Sequence, residues 1–260
     1  VPVGAYMVIH LLTNASVLDS PAAFQRNVYA IHALGAILPV IEWGFIFLPL
    51  LFHGLFGVLI VRGSLPNSSV YKYRSNVCYT LQRATGMIAL VFILWHVFHM
   101  HGWFHADAWM QRVAQPLGGG MFRPYNASST AAEAMQMSSV VPILYAIGVL
   151  ACVFHLANGL WTFGITWGIW VTPQAQRWAS YASVVFGIAL GVVGLGALGG
   201  FTFGIRGPQA IEAVRAMEDK MYKARVEIGE IAPNEHKRTG TTGHHEESQQ
   251  AAAPAGGAAH

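Results

Sequence analysis

Residues 45–61 read FIFLPLLFHGLFGVLIV, seventeen residues of which His53 alone carries a hydrogen-bonding or titratable side chain. A polar group in such surroundings costs free energy unless it has a partner, so this one imidazole has to be explained together with whatever faces it.

The rest of the chain has the same character. Of 260 residues, 54% are hydrophobic and 10% charged, against roughly 25% charged in ordinary soluble domains. Charge-free windows at residues 43–61, 84–104, 134–176 and 178–205 reach or approach the roughly 20 apolar residues that a bilayer-spanning helix needs. The opening stretch, VPVGAYMVIHLLTNAS, is apolar only to Leu12, a helix of about 18 Å at about 1.5 Å per residue. That is too short to cross, so residues of a first helix are expected upstream of Val1. A basic lead and a small-residue cleavage site are both missing, which argues against a signal peptide.

The expected fold class is therefore all-α, an integral membrane five-helix bundle. Helices are expected at about 1–16, 40–62, 83–104, 140–170 and 178–204 within a membrane domain spanning 1–205. After it, Ile211, Val214, Met217, Met221 and Ile228 recur at helical spacing among charges, and residues 206–232 read as an amphipathic surface helix. Residues 233–260 have no periodicity and read as a disordered tail whose histidines are solvated. Arg62, Lys72, Arg74, Arg83 and Arg177 fall in connections on one face, and Arg26, Arg112 and Arg123 on the other. This is a weak positive-inside bias for the first face being cytoplasmic. Cys78 and Cys152 lack metal or disulfide spacing.

Four histidines lie within apolar helices: His10, His53, His96 and His155. Any one could be a packing residue bonded to a neighbouring carbonyl, but their depths form a pattern. If successive helices alternate in direction, His53 and His155, fourteen and thirteen residues after Pro39 and Pro142, both lie about 20 Å from the non-cytoplasmic face. His96, thirteen residues after Arg83, lies about as far from the opposite face, and His10 sits just before the polar exit at Thr13 and Asn14. In a hydrocarbon core of about 30 Å this makes two layers about 10 Å apart, each holding two imidazoles. Two imidazoles converging from facing helices suit a bis-histidine haem. Gly57 and Gly159, four residues after His53 and His155 on the same helix face, would let a porphyrin lie close. An iron with both axial positions filled by protein carries electrons rather than transforming ligands.

The segments PVGAYMVIHLLTN, EWGFIFLPLLFHGLFG, LQRATGMIALVFILWHVF and FHLANGLWTFGITWGIWVTPQAQRW together resemble the dihaem cytochrome b558 membrane-anchor subunit of succinate dehydrogenase, respiratory complex II. That family is related to the anchors of menaquinol-dependent fumarate reductases. The resemblance covers residues 1 to about 200. It implies five transmembrane helices in a bacterial cytoplasmic membrane and two haems b, a proximal one on His53 and His155 and a distal one on His10 and His96. It also implies a flavoprotein and an iron–sulfur subunit as partners, with menaquinone as electron acceptor; no nucleic-acid partner is expected. A glutamate two residues before the fourth-helix ligand marks relatives with a transmembrane proton route. Here that position is Val153, which favours succinate oxidation. Glu42 matches a family glutamate near the distal end and is a candidate proton acceptor at a quinone site, or an acidic residue stabilised at a helix N-terminus. Arg74 and Arg83 are candidates for pairing with haem propionates, or are ordinary positive-inside residues. His99 rivals His96 as ligand, although it approaches the helix exit, where interfacial histidines are commoner. A cytochrome b subunit of a fumarate reductase or of another membrane dehydrogenase is the alternative function, and a haem-free scaffold is a further one. The connection from Phe104 to Ser139 and the chain after residue 205 are longer than the resemblance requires and have no assigned role.

Overall fold

The structure, a computed structural model, describes residues 2–63, 70 and 72–239. Residues 240–260, most of the expected disordered tail, lie outside the described residues. Every regular element among those described is helical.

Among the described residues four helices are long and apolar enough to cross a membrane: α3 at Gly35–Arg62, α4 at Arg74–His101, α6 at Val140–Thr166 and α7 at Pro173–Gly204. The chain's opening helix, α1 at Pro2–Ala15, is apolar but shorter. Starts and stops follow local chemistry. Thr172 caps α7, its hydroxyl accepting from the Ala175 N–H at 3.1 Å, with Pro173 in the first turn where no N–H is needed. Within α3 the helix widens to a π turn over Glu42–Phe47. Pro49 follows directly; it has no N–H to offer the Phe45 carbonyl, and its ring crowds that turn.

The centre of the bundle is α6, which packs on α4 at one side and on α7 at the other, with α1 laid against α7. Leu11, Val153 and Leu190 meet there in an apolar cluster. In lipid this packing is held by close van der Waals fit rather than by the hydrophobic effect, so small residues matter. At Gly148 an added Cβ would fall 2.2 Å from the Phe92 ring, so only glycine admits that ring. No side chain of α3 between Glu42 and Arg62 is buried, and the helix touches the bundle through α1 and α4.

On one face of the bundle the connections fold into a cap. It consists of α2 at Pro21–His32, residues 102–139 including α5 at Ala127–Gln136, α8 at Pro208–Glu227, and the residues following α8. The long connection after α4 is thus built rather than irregular, and the window at 134–176 contains the end of a cap helix before the span begins. Its join to the bundle is a backbone graft. Gly102 ends α4 in the left-handed conformation (φ 75°), and the N–H groups of Gly120, Met121 and Phe122 then donate to the carbonyls of Phe98, His99 and Met100 at 3.1, 3.0 and 2.9 Å. The last carbonyls of α4, left over by the helix itself, are satisfied by the cap.

The cap's interior is polar. Gln25, Asn126, Ser128, Ser129 and Glu218 are fully buried. The Gln25 amide donates to the Pro124 carbonyl at 2.9 Å and accepts from the Ala127 N–H at 2.7 Å. Glu218 of α8 caps α5 from outside: its Oε1 accepts from the Ser128 and Ser129 N–H groups at 2.6 and 3.2 Å, and its Oε2 accepts from the Ser129 hydroxyl at 2.6 Å. Burial raises this carboxyl above the usual carboxylate range, while the bonds from Ser129 and Ser128 pull it down. Tyr125 stacks between Tyr29 and Tyr222, with ring centroids 5.4 and 5.3 Å away. Beside them, burial first and the Lys237 ammonium second hold His32 down at about 4.

Helix α8 buries Ile211, Glu218 and Tyr222 against the cap, whereas Ile228, counted in the apolar stripe from sequence, is 74% exposed. Of the stretch expected to be structureless, residues 233–239 are held. The Asn234 N–H donates to the Tyr222 hydroxyl at 2.9 Å, the Thr239 N–H donates to the Asn126 side chain at 3.1 Å, and Arg238 pairs with Asp219 at 2.9 Å.

Candidate functional site

The four spans and α1 bring the four histidines together in two pairs. The rings of His53 on α3 and His155 on α6 have centroids 5.9 Å apart, inclined by 69°. Those of His10 on α1 and His96 on α4, nearer the cap, are also 5.9 Å apart, inclined by 78°. Two imidazoles sharing one metal at about 2 Å per nitrogen have centroids about 6 Å apart, so each pair has the right spacing for a single ion between its rings.

The second nitrogen of each ring decides which atom is free to bind. His155 Nδ1 lies 3.0 Å from the Gln82 carbonyl, which can only accept, so Nδ1 carries the hydrogen and Nε2 keeps its lone pair. The rest of Gln82 braces the same helix: its Nε2 donates to the His155 carbonyl at 3.0 Å and its Oε1 accepts from the Asn158 amide at 2.8 Å. Gly86 makes the approach possible, because a Cβ there would lie 2.8 Å from the His155 ring. In the other layer, His96 Nδ1 is 3.1 Å from the Tyr145 hydroxyl and His10 Nδ1 is 3.4 Å from the Tyr6 hydroxyl.

Sequence reasoning missed Gln82, Gly86, Asn158 and Tyr145. A signal for Asn158 was present, since an amide inside an apolar span attracts attention on the same grounds as a histidine; Gln82 lay just outside the span expected from residue 83. Nothing local marks Tyr145. His99, read as lying near a helix exit, is instead 3% exposed, because the cap covers that exit. Its Nδ1 lies 2.9 Å from the same Tyr145 hydroxyl. It faces Tyr145 and Met137, whereas His10 stands opposite His96.

A Cβ at Gly57 would meet no atom within 4 Å, while at Gly159 it would lie 3.3 Å from the Gln82 amide. Arg74, at the start of α4, lines a cleft of about 300 Å³ with Trp161, Gln176, Arg177 and Tyr181. The Arg83 guanidinium lies over the Tyr79 ring, 3.3 Å from its centroid. Glu42 opens the π turn of α3, within electrostatic reach of His105 and Lys237 on the cap side. Val153 is packed with Leu11 and Leu190. Cys78 and Cys152 are free thiols.

Among the described residues no three His, Cys, Asp or Glu side chains converge as a direct metal-ion site. The bundle offers imidazoles in twos. A pair of neutral imidazoles satisfies a metal whose other four positions are filled by a planar macrocycle, which is the coordination of a six-coordinate haem.

The chain is 34% identical over 201 residues to the succinate dehydrogenase cytochrome b558 subunit of Bacillus subtilis (strain 168), a match spanning 77% of this chain and 91% of that protein. No family profile and no solved structure matches it.

Proposed function

This chain belongs to the succinate dehydrogenase cytochrome b558 subunit family, and on that premise we propose that it holds two haems b, through which electrons from a flavoprotein and an iron–sulfur subunit reach menaquinone. Its role is electron transfer within a complex of the succinate:quinone oxidoreductase type, and it is a multi-pass membrane protein. The observation that carries the finer reading is the presence of two imidazole pairs, each at 5.9 Å, in separate layers of one bundle.

His53 with His155 would hold the haem nearer the partner subunits, and His10 with His96 the one nearer the cap. Haem b, when bound, supplies a one-electron centre closed to outside ligands. The chain's own residues do the rest. Gln82 and Gly86 fix the ring and tautomer of His155, the Tyr145 hydroxyl holds the ring of His96, and apolar packing around Leu11, Val153 and Leu190 keeps water from the core between the layers. Arg74, with Arg177 beside it, and Arg83 lie on the proximal side, where propionates would meet them. The cap face is assigned to the outside of the bacterial membrane, since Arg62, Arg74, Arg83 and Arg177 lie toward the other. Succinate oxidation is the favoured direction: the Val153 position lacks a protonatable group that would carry a compensating proton through the membrane.

Glu42 is proposed to take up the proton for quinone reduction on the cap face. A quinone-linked proton entering from the outer face while electrons come from the inner one would draw on the membrane potential, at about 2.3 kcal/mol per charge per 100 mV. Glu42→Gln is expected to slow menaquinone reduction while leaving haem content intact; an unchanged rate removes Glu42 from this role.

The test of the whole reading is protohaem per chain in the purified complex. A value near two is expected, one would break the pairing, and zero would overturn the reading.

A further inference from the structure

The geometry points to a polarised hydrogen-bond chain, His96–Tyr145–His99–Met137, by which the cap fixes the iron-binding nitrogen of His96 and lowers the redox potential of the haem on that side. The inference rests on the haem reading above.

The polarity can be followed inward from the cap. The Met137 sulfur lies 3.4 Å from His99 Nε2. A thioether has no hydrogen to give and can only accept, so Nε2 carries the hydrogen. In a neutral imidazole Nδ1 is then the acceptor, and its partner among the described residues is the Tyr145 hydroxyl at 2.9 Å. That hydroxyl has one hydrogen, and it is given to His99. Its lone pairs remain for the other imidazole it touches, His96, whose Nδ1 lies at 3.1 Å and must supply a hydrogen of its own. His96 is left with a bare Nε2, the form in which an imidazole ligates iron. The reverse polarity would make His99 Nε2 a bare acceptor facing sulfur and place the hydrogen of His96 on the nitrogen needed for the metal.

The chain is built to stay in one arrangement. His99 and Tyr145 are 3% and 7% exposed, so water does not compete for their bonds. Trp95 lies parallel to the His99 ring, with centroids 5.0 Å apart and planes 8° off, which fixes the ring's orientation. His96 and His99 belong to α4, Tyr145 belongs to α6, and Met137 ends the cap helix α5, so three elements must be docked for the chain to exist. An acceptor on the far nitrogen of a ligating histidine makes that ligand a stronger electron donor, which favours the ferric state.

The experiment is a redox titration of both haems in the intact complex, with haem content measured alongside. Tyr145→Phe is expected to keep two haems and leave the His53/His155 potential unchanged. It should raise the potential of the cap-side haem, increasing its ferrous-to-ferric ratio at fixed applied potential by about 2- to 10-fold, the worth of one hydrogen bond. His99→Gln, whose amide can accept from Tyr145 and donate to Met137, is expected to stay near wild type, and His99→Leu to shift in the same direction as Tyr145→Phe. Unchanged potentials in both Tyr145→Phe and His99→Leu overturn the inference. Loss of a haem in His99→Gln also overturns it, by making His99 the ligand. A wild-type complex without two haems overturns the underlying haem reading instead, a different outcome from either.

Discussion

His155→Leu is expected to remove one of the two proposed haems and to lower succinate-driven menaquinone reduction at least about 100-fold, the upper end of what loss of even an outer partner of a metal ligand costs. The expectation is larger for this histidine than for an ordinary span residue, because its surroundings are built around the imidazole. The Gln82 carbonyl takes its Nδ1 hydrogen at 3.0 Å, and Gly86 leaves the space in which the ring lies. Leucine can neither give that hydrogen nor offer a lone pair to a metal. The protein should still insert and fold, since leucine suits a lipid-facing bundle and the Gln82–Asn158 bond at 2.8 Å does not involve the ring. Haem content by pyridine haemochrome should fall from two to one per chain, with the surviving haem titrating as the cap-side one. Gly86→Ala is the companion variant. Its added methyl would sit 2.8 Å from the ring, and it should reproduce part of the loss by displacing His155 without removing it. Full haem content in His155→Leu would rule this histidine out as a ligand.

Glu218→Ala is expected to loosen the cap without disturbing the spans. It strands two buried backbone donors, the N–H groups of Ser128 and Ser129, and leaves the Ser129 hydroxyl only its longer bond to the Asn126 carbonyl at 3.4 Å. At roughly 1–2 kcal/mol for each buried donor left unpaired, the cost is about 2–4 kcal/mol. Against a typical domain stability of about 5–15 kcal/mol this is enough for the cap to open on its own. Hydrogen exchange or limited proteolysis should show new exposure at residues 105–139 and 208–239, while the His53/His155 haem stays in place. Glu218→Gln keeps one acceptor for the two backbone donors and should cost much less. Equal protection in Glu218→Ala and wild type would show that this carboxylate does not hold the cap.

Much of the site was legible from one dimension because hydrocarbon tolerates so little. A span must be apolar along its whole length, so a histidine in it stands out, and counting residues to the nearest end gives its depth. By that count His53 is level with His155 and His10 with His96, and the structure holds each pair at 5.9 Å. Depth says nothing about the direction in which a ring points, so Gln82, Gly86 and Tyr145, which set orientation and tautomer, could not be found that way. For His99 the count misled. Its position near the helix exit implied an interface with water, and only the folded connection that covers α4 makes the site dry.

The amino-acid sequence by itself determined the membrane, the apolar spans and the level of each histidine, because each depends on composition over a few adjacent turns. The tertiary structure alone decided the cap and the polarity of its contacts. Ser128 meets Glu218 across 90 residues and Ala127 meets Gln25 across 102, and no local pattern records that a buried carboxylate in one helix completes the N-terminus of another.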